Sequence, residues 1–271
     1  MSWPQALLFA TIDALQLRVD HSAQPLGMPS TPFSVLPAEH RTRIKICGLT
    51  READVQAAVH AGADALGFVL YAKSPRYVSP ERAGELARLL PPFVTPVLLF
   101  VNPDDALVRS ALDHVPAALL QFHGDEVLAD CEKFARPYLR AARMAPGFNL
   151  LDFALKFPSA QAMLVDAHVD GYGGGGQVFD WSLLPRPLPQ AMILSGGLHP
   201  GNVVQGVVQV RPWGVDVSSG VEVGKGLKDQ ALMRQFCQAV RMADLRMTDQ
   251  RIADQRTADQ VCAEFSSAPR G

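Results

Sequence analysis

Between residues 42 and 243 the chain repeats one arrangement of apolar and polar positions eight times. A short, nearly unbroken apolar run is followed by a longer stretch whose apolar residues return at helical spacing. "RIKIC" leads into "READVQAAVHAGA", where Val55, Ala58 and Val59 share a helical face. "ALGFVL" leads into "SPERAGELARLL". There Ser79 suits a helix cap, Pro80 the first helical position, and Leu86, Leu89 and Leu90 the turns that follow. "PVLLFV" precedes "NPDDALVRSALDHV", which reads as an Asn-Pro helix start. "ALLQFH" precedes "GDEVLADCEKFA", and "YLRAARM" precedes "NLLDFALKF". "AMLVDA" is followed by a glycine run and the short "FDWSLL". "AMILSGG" precedes "PGNVVQGVVQV", and "WGVDVSSG" precedes "DQALMRQFCQAVRMA".

Strands that are apolar throughout, without alternation, are buried on both faces, which implies a parallel sheet wrapped by helices. Eight such units in about 200 residues predict an α/β fold of the (β/α)8 TIM-barrel type, at the small end of its range. An open doubly wound sheet would use fewer units, and no G-x-G-x-x-G follows the first strand. The barrel, residues 42–243, is expected to be the catalytic domain. Residues 1–41 contain "HSAQPLGMPSTPFSVLPAEH", rich in Pro and Ser and without a sustained period, and read as an extension that is at most partly ordered. Residues 244–271 form a low-complexity tail with the repeat "RMTDQ RIADQ RTADQ" over Arg246–Gln260. A five-residue period advances about 140° on a helix and builds no single apolar stripe. The tail reads as a solvated helix or as an interaction arm.

The net charge of −2 offers no basic surplus, so nucleic acid is not expected as a partner, whereas a small anion still is. Four cysteines (Cys47, Cys131, Cys237, Cys262) form no CxxC pair and join no His cluster. That spacing argues against a disulfide framework or a zinc site and fits a reducing compartment. The apolar segment 6–10 is too short to span a bilayer and runs into Asp13. The expectation is a soluble cytoplasmic protein with no membrane partner.

Barrels build their active sites at the C-terminal ends of the strands. The polar residues found there are Lys45 and Cys47; Lys73, Ser74 and Arg76; Gln121 and His123; Arg140 and Arg143; and Asp166. Ser195, Gly196 and Gly197 follow the seventh strand, and Asp216, Ser218, Ser219 and Gly220 mark the eighth. Glycine turns after strands seven and eight are where barrels hold phosphate on backbone N–H groups. The run "GYGGGGQ" at 171–177 reads either as a loose loop or as a loop that closes on an anion. Asp166 ends an apolar strand, where loss of solvent favours the protonated acid and suits general-acid work, though backbone N–H groups could equally hold it as carboxylate. Cys47 by position alone fits a buried structural cysteine as well as a reactive one. Together these residues suggest metal-free acid–base chemistry on a phosphorylated small molecule.

In order along the chain, "KICGLT", "GFVLYAKSPRYVSPE", "LLQFHGDE", "LVDA", "YGGGGQVFDW", "ILSGGLHPGNV" and "GVDVSSGVE" resemble the phosphoribosylanthranilate isomerase family of tryptophan biosynthesis. The resemblance spans roughly residues 43–241. It implies a small barrel that opens the ribose of N-(5-phosphoribosyl)anthranilate and isomerises it to the 1-deoxyribulose product. Cys47 is then the general base, with partial thiolate character, and Asp166 the general acid. Gly174 and Gly175 of the glycine loop, Gly196 and Gly197, and Ser218 and Ser219 hold the phosphate, and Arg76 holds the anthranilate carboxylate. Gln121, His123 and Asp216 complete the substrate-binding mouth. Neither metal nor redox cofactor is implied, and the protein is expected as a monomer or homodimer. His199 and Gly201 stand where the family shows Asn and Glu, so the helix behind them is expected to start weakly. Gln177 stands where Lys is frequent after the glycine loop. Two competing readings are another phosphate-binding barrel, such as indole-glycerol-phosphate synthase, and a non-catalytic metabolite-binding barrel. The synthase would want a lysine acid and a glutamate where this mouth offers cysteine and aspartate.

Overall fold

The structure, a computed structural model, describes residues 40–167, 180–185 and 187–267, with side chains as far as residue 254. Eight strands close into a barrel in chain order, all neighbours parallel: β1 (Arg43–Cys47), β2 (Ala65–Val69), β3 (Thr95–Phe100), β4 (Leu119–Phe122), β5 (Tyr138–Met144), β6 (Ala162–Ala167), β7 (Ala191–Leu194) and β8 (Gly214–Val217). The seam pairs β8 with β1 and sets Lys45 opposite Asp216. The helices are α1 (Glu52–Ala61), α2 (Pro80–Ala87), α3 (Asp105–His114), α4 (Leu128–Glu132), α5 (Leu150–Leu155), α6 (Val203–Val210) and α7 (Gln230–Ser267). After β6 the described chain resumes in a single 3-10 turn, Trp181–Leu183. Between β8 and α7 lies a small antiparallel hairpin, β9 (Glu222–Gly224) with β10 (Leu227–Lys228).

The eight expected strands are all present, and one helix start differs in detail from the expectation. Ser79 caps α2 as expected, its hydroxyl accepting from Arg82 N at 3.2 Å. The cap of α3 is Asp104, which accepts from Leu107 N at 2.8 Å, and not Asn102. Asn102 instead takes a left-handed turn (φ 47°) and accepts from Asp125 N at 2.7 Å, a geometry its short amide tolerates. Because α2 stops at Ala87, Leu89 is exposed, while Leu90 packs partly on the core. Asn202 stands at the N-cap of α6, but its side chain makes no capping bond to the helix, in keeping with a weak start. Its Oδ1 accepts from His199 N at 2.8 Å, and His199 Nδ1 accepts from Gly201 N at 3.1 Å in the turn before it. α7 runs without a break through residue 243: Ala243 is fully buried, Met247 still packs on the core, and the repeat from residue 246 continues as helix.

Strand residues alternate between two environments. One set, including Phe68, Phe100 and Phe122, faces the helices and forms the main core. The other set fills the barrel in two small apolar layers. Val97, Leu139, Ala162 and Ala191 form one; Cys47, Val69, Leu99 and Val101 form the other, with Tyr71 packed against it. Phe122 is fully buried, with ring centroids 6.2 Å from Phe100 and 5.9 Å, edge-on, from Tyr138. Removing so large a buried ring costs transfer free energy and leaves a cavity. Phe122→Ala should lower stability by about 3–5 kcal/mol, read as a lower urea midpoint with an unchanged slope.

Candidate active site

Cys47 is the last residue of β1, and its Cα partner on β2 is Gly67. A Cβ at position 67 would come within 2.6 Å of the Cys47 sulfur, so the glycine opens the space that the thiol occupies. Two residues earlier, Lys45 Nζ donates to Asp216 Oδ1 at 2.8 Å across the seam, both side chains being buried. Asp216 Oδ2 accepts from Ser195 Oγ at 3.3 Å. Burial works against the Lys45 ammonium, but Asp216 and the neighbouring thiol outweigh it and hold the amine above its ordinary value. Burial pushes the Cys47 thiol up; Lys45 pulls it back without cancelling the effect, and Asp216 adds to the rise. The Lys228 ammonium adds a second pull toward the thiolate, and desolvation of the sulfur outweighs both ammoniums, so burial favours the protonated form.

Asp166, at the end of β6, faces the same cavity as Cys47. Its Oδ2 lies 3.2 Å from His123 Nε2, and both side chains keep about a seventh of their surface exposed (14% each). Gly196, at φ 79°, lets the turn after β7 pass close by. A Cβ there would sit 2.3 Å from Ala167 N and 2.7 Å from Asp166 Oδ1, so no other residue fits. His123 Nδ1 is 3.1 Å from Gln121 Nε2. Gln121 is completely buried and does not reach the cavity; it orients His123 from behind, where the sequence reading had it as a binding residue.

Arg76, Gly196, Gly197, Ser218 and Ser219 line the cavity with His123, as expected. Their roles divide differently. Ser218 Oγ donates its one proton to the Cys47 carbonyl at 3.0 Å and accepts from Lys228 Nζ at 3.3 Å, so its hydroxyl braces the end of β1 and has no proton left for a ligand. Asp216 likewise has both oxygens held by protein groups. The backbone N–H groups of Gly196, Gly197, Ser219 and Gly220 meet no protein acceptor among the described residues and remain able to bind an anion. Arg76 donates through Nε and Nη2 to the two oxygens of Glu222, both at 2.7 Å, and Nη1 has no partner among the described residues. Gly174, Gly175 and Gln177 lie outside the described residues.

The other strand-end cations stand apart. Lys73 is exposed, Arg143 pairs with Asp125, and Arg140 is buried, donating to the carbonyls of Phe122, Ala141, Gly124 and Glu126. Sequence reasoning missed Lys228 as a site residue and left Glu222 without a role, although "GVDVSSGVE" contains it. Both sit in a short polar hairpin where nothing in the apolar period marks them as buried. Burial works to raise the Glu222 acid, but Arg76 and Lys228 hold it as carboxylate, below its ordinary value.

A closed (β/α)8 barrel carrying a thiol, a carboxyl group and open anion-binding turns at one mouth is an enzyme of the TIM-barrel class. A family model described as N-(5'phosphoribosyl)anthranilate (PRA) isomerase matches residues 44–239. The chain is 66% identical over 204 residues to the N-(5'-phosphoribosyl)anthranilate isomerase of Leptothrix cholodnii, covering 75% of this chain and 93% of that one. It is 64% identical over 204 residues to that of Methylibium petroleiphilum, with 75% and 96% covered. Among solved structures it resembles phosphoribosyl anthranilate isomerase from Thermotoga maritima, with 38% identity, TM-score 0.65, and 74% and 98% of the two chains covered. A second such structure, in complex with reduced 1-(o-carboxyphenylamino)-1-deoxyribulose 5-phosphate, has 37% identity, TM-score 0.64, and the same coverage. The chain belongs to the phosphoribosylanthranilate isomerase family.

The Lys45–Asp216 pair gives a test of how this mouth is held. Lys45→Met leaves Asp216 buried without its cation and should destabilise the protein by about 3–5 kcal/mol in urea unfolding. Adding Asp216→Asn should recover much of that loss, because the stranded charge is gone.

Proposed function

We propose that this chain isomerises N-(5-phosphoribosyl)anthranilate to 1-(2-carboxyphenylamino)-1-deoxyribulose 5-phosphate in tryptophan biosynthesis, with Asp166 as general acid and Cys47 as general base. The observation that carries the reading is the pairing of these two groups on one cavity, each given its space by a glycine of the neighbouring strand or turn. Family membership sets aside the synthase and the non-catalytic barrel as readings.

Asp166 gives its proton to the furanose ring oxygen as the C1′–O bond breaks, and the anilino nitrogen lone pair forms the C=N bond of a protonated Schiff base. Cys47 then removes the C2′ proton; those electrons form the C1′=C2′ bond, and the C=N pair returns to nitrogen as the enolamine. Tautomerisation moves a proton to C1′ and leaves the ketone at C2′. Atoms and electrons balance within the substrate, so the proton carriers suffice. Burial disfavours the thiolate, so Cys47 gives its proton to solvent before the C2′ step and acts as the thiolate. The Lys45 ammonium and the cationic Schiff base both favour the thiolate at that point. His123, 3.2 Å from Asp166, lies where it can return a proton to the acid.

The remaining groups suit the ends of the substrate. Val69, Leu99 and Val101 offer an apolar wall for the aromatic ring. Nη1 of Arg76 takes the carboxylate. The N–H groups of the turns at Gly196 and Ser219, with Gly174 and Gly175, take the phosphate. The enzyme acts as a monomer or homodimer in the cytoplasm; among the described residues no helix is long and apolar enough to cross a membrane.

Wild type should rescue a tryptophan auxotroph lacking this step, and Cys47→Ala should not. In purified protein, Cys47→Ala and Asp166→Asn should each lower turnover by about two orders of magnitude or more. Near-normal turnover by either variant would remove that residue from the mechanism. Arg76→Ala should act mainly on KM, since it binds a part of the substrate that does not react; an unchanged KM rejects the clamp.

A further inference from the structure

We infer that Lys228 is a positioning residue that holds the general base and the carboxylate-binding arginine in one rigid frame. Lys228 ends β10, in the hairpin between β8 and the last helix, and its side chain is completely buried. Its ammonium makes three hydrogen bonds: to the Ser218 carbonyl at 3.0 Å, to Ser218 Oγ at 3.3 Å, and to Glu222 Oε1 at 2.7 Å. Two of these bonds continue to a group of the site. Ser218 Oγ donates a hydrogen bond to the carbonyl of Cys47 at 3.0 Å, which ties down the end of β1 just where the thiol must point. Glu222 grips Arg76 through both oxygens at 2.7 Å and so sets the direction of the remaining guanidinium nitrogen.

The charges make the same point. Arg76 and Lys228 are cations around one carboxylate, Glu222, so this buried cluster carries one net positive charge beside the cavity. A cluster left one charge positive is completed by an anion, and the carboxylate end of the substrate is the anion the reading above places there. The inference rests on that reading. A buried lysine with all three protons committed, linking residues from three strand ends, fixes relative positions in a way that no single loop contact does. The hairpin itself is anchored without the lysine side chain. Thr50 Oγ1 donates to Gly226 O at 3.0 Å, Lys228 N donates to Asp54 Oδ2 at 3.4 Å, and Asp229 N donates to Val221 O at 2.9 Å.

The test compares wild type, Lys228→Met and Glu222→Gln in steady-state isomerase kinetics, in calorimetric binding of anthranilate as the carboxylate probe, and in circular dichroism. Lys228→Met should stay folded, lose about 10–100-fold in kcat, raise KM about tenfold and bind anthranilate about tenfold more weakly. Glu222→Gln touches Arg76 and leaves the Ser218–Cys47 link intact. It should raise KM and weaken anthranilate about tenfold with kcat within about threefold of wild type. A folded Lys228→Met with wild-type kcat and KM overturns the inference, whatever its melting temperature. If Lys228→Met does not fold, Glu222→Gln decides, and unchanged anthranilate affinity overturns the inference. Wild-type protein without isomerase turnover overturns the functional reading and this inference with it; turnover in wild type with equal variants overturns the inference alone.

Discussion

The seam between β8 and β1 is the constraint on which the site depends. A barrel closes only if its last strand pairs with its first, and here the closing register sets Lys45 opposite Asp216 inside the barrel. The 2.8 Å ion pair that results is buried on both sides, and a charge stranded there would be costly. The pair therefore favours this register over its neighbours. The same register brings Ser218, at the end of β8, to the carbonyl of Cys47, at the end of β1. Closure of the fold and placement of the thiol are thus one event.

Around that seam the site is built from space as much as from contacts. Gly67 leaves room for the Cys47 sulfur and Gly196 for the Asp166 carboxyl group. Either substitution by a larger residue would force backbone or a reacting group to move. The apolar layer of Val69, Leu99 and Val101 then supplies a dry wall, while the polar groups collect on the other side of the mouth. Dryness has a consequence for the chemistry. It raises the cost of ionising the Cys47 sulfur, which the ammoniums of Lys45 and Lys228 offset only in part.

Much of this was legible in order along the chain. Eight apolar runs with amphipathic stretches between them announce a parallel barrel, because a strand covered on both faces has no use for polar alternation. Once the barrel is granted, its strand ends name the neighbourhood of Cys47, His123, Asp166 and the two glycine turns. What could not be read was which of those residues touch ligand and which hold another residue. Gln121, Asp216 and Ser218 looked alike from sequence; the structure turns Gln121 toward His123, Asp216 toward Lys45 and Ser195, and Ser218 toward Cys47. The helix cap at Asp104 rather than Asn102 is a smaller case of the same kind, since both residue types suit either job.

The sequence by itself determined the strand count, the class of fold and the motif residues of the family, because hydrophobic period and turn chemistry are local properties. Only the tertiary structure decided the hydrogen-bond partners of the polar residues, which come from elements up to 202 positions apart. Lys228 and Glu222 show the difference most sharply. In the chain they are two charges in a short polar hairpin. In the folded protein they are buried between the end of β1 and Arg76, because barrel closure brings the segment after the last strand against the ends of the first two.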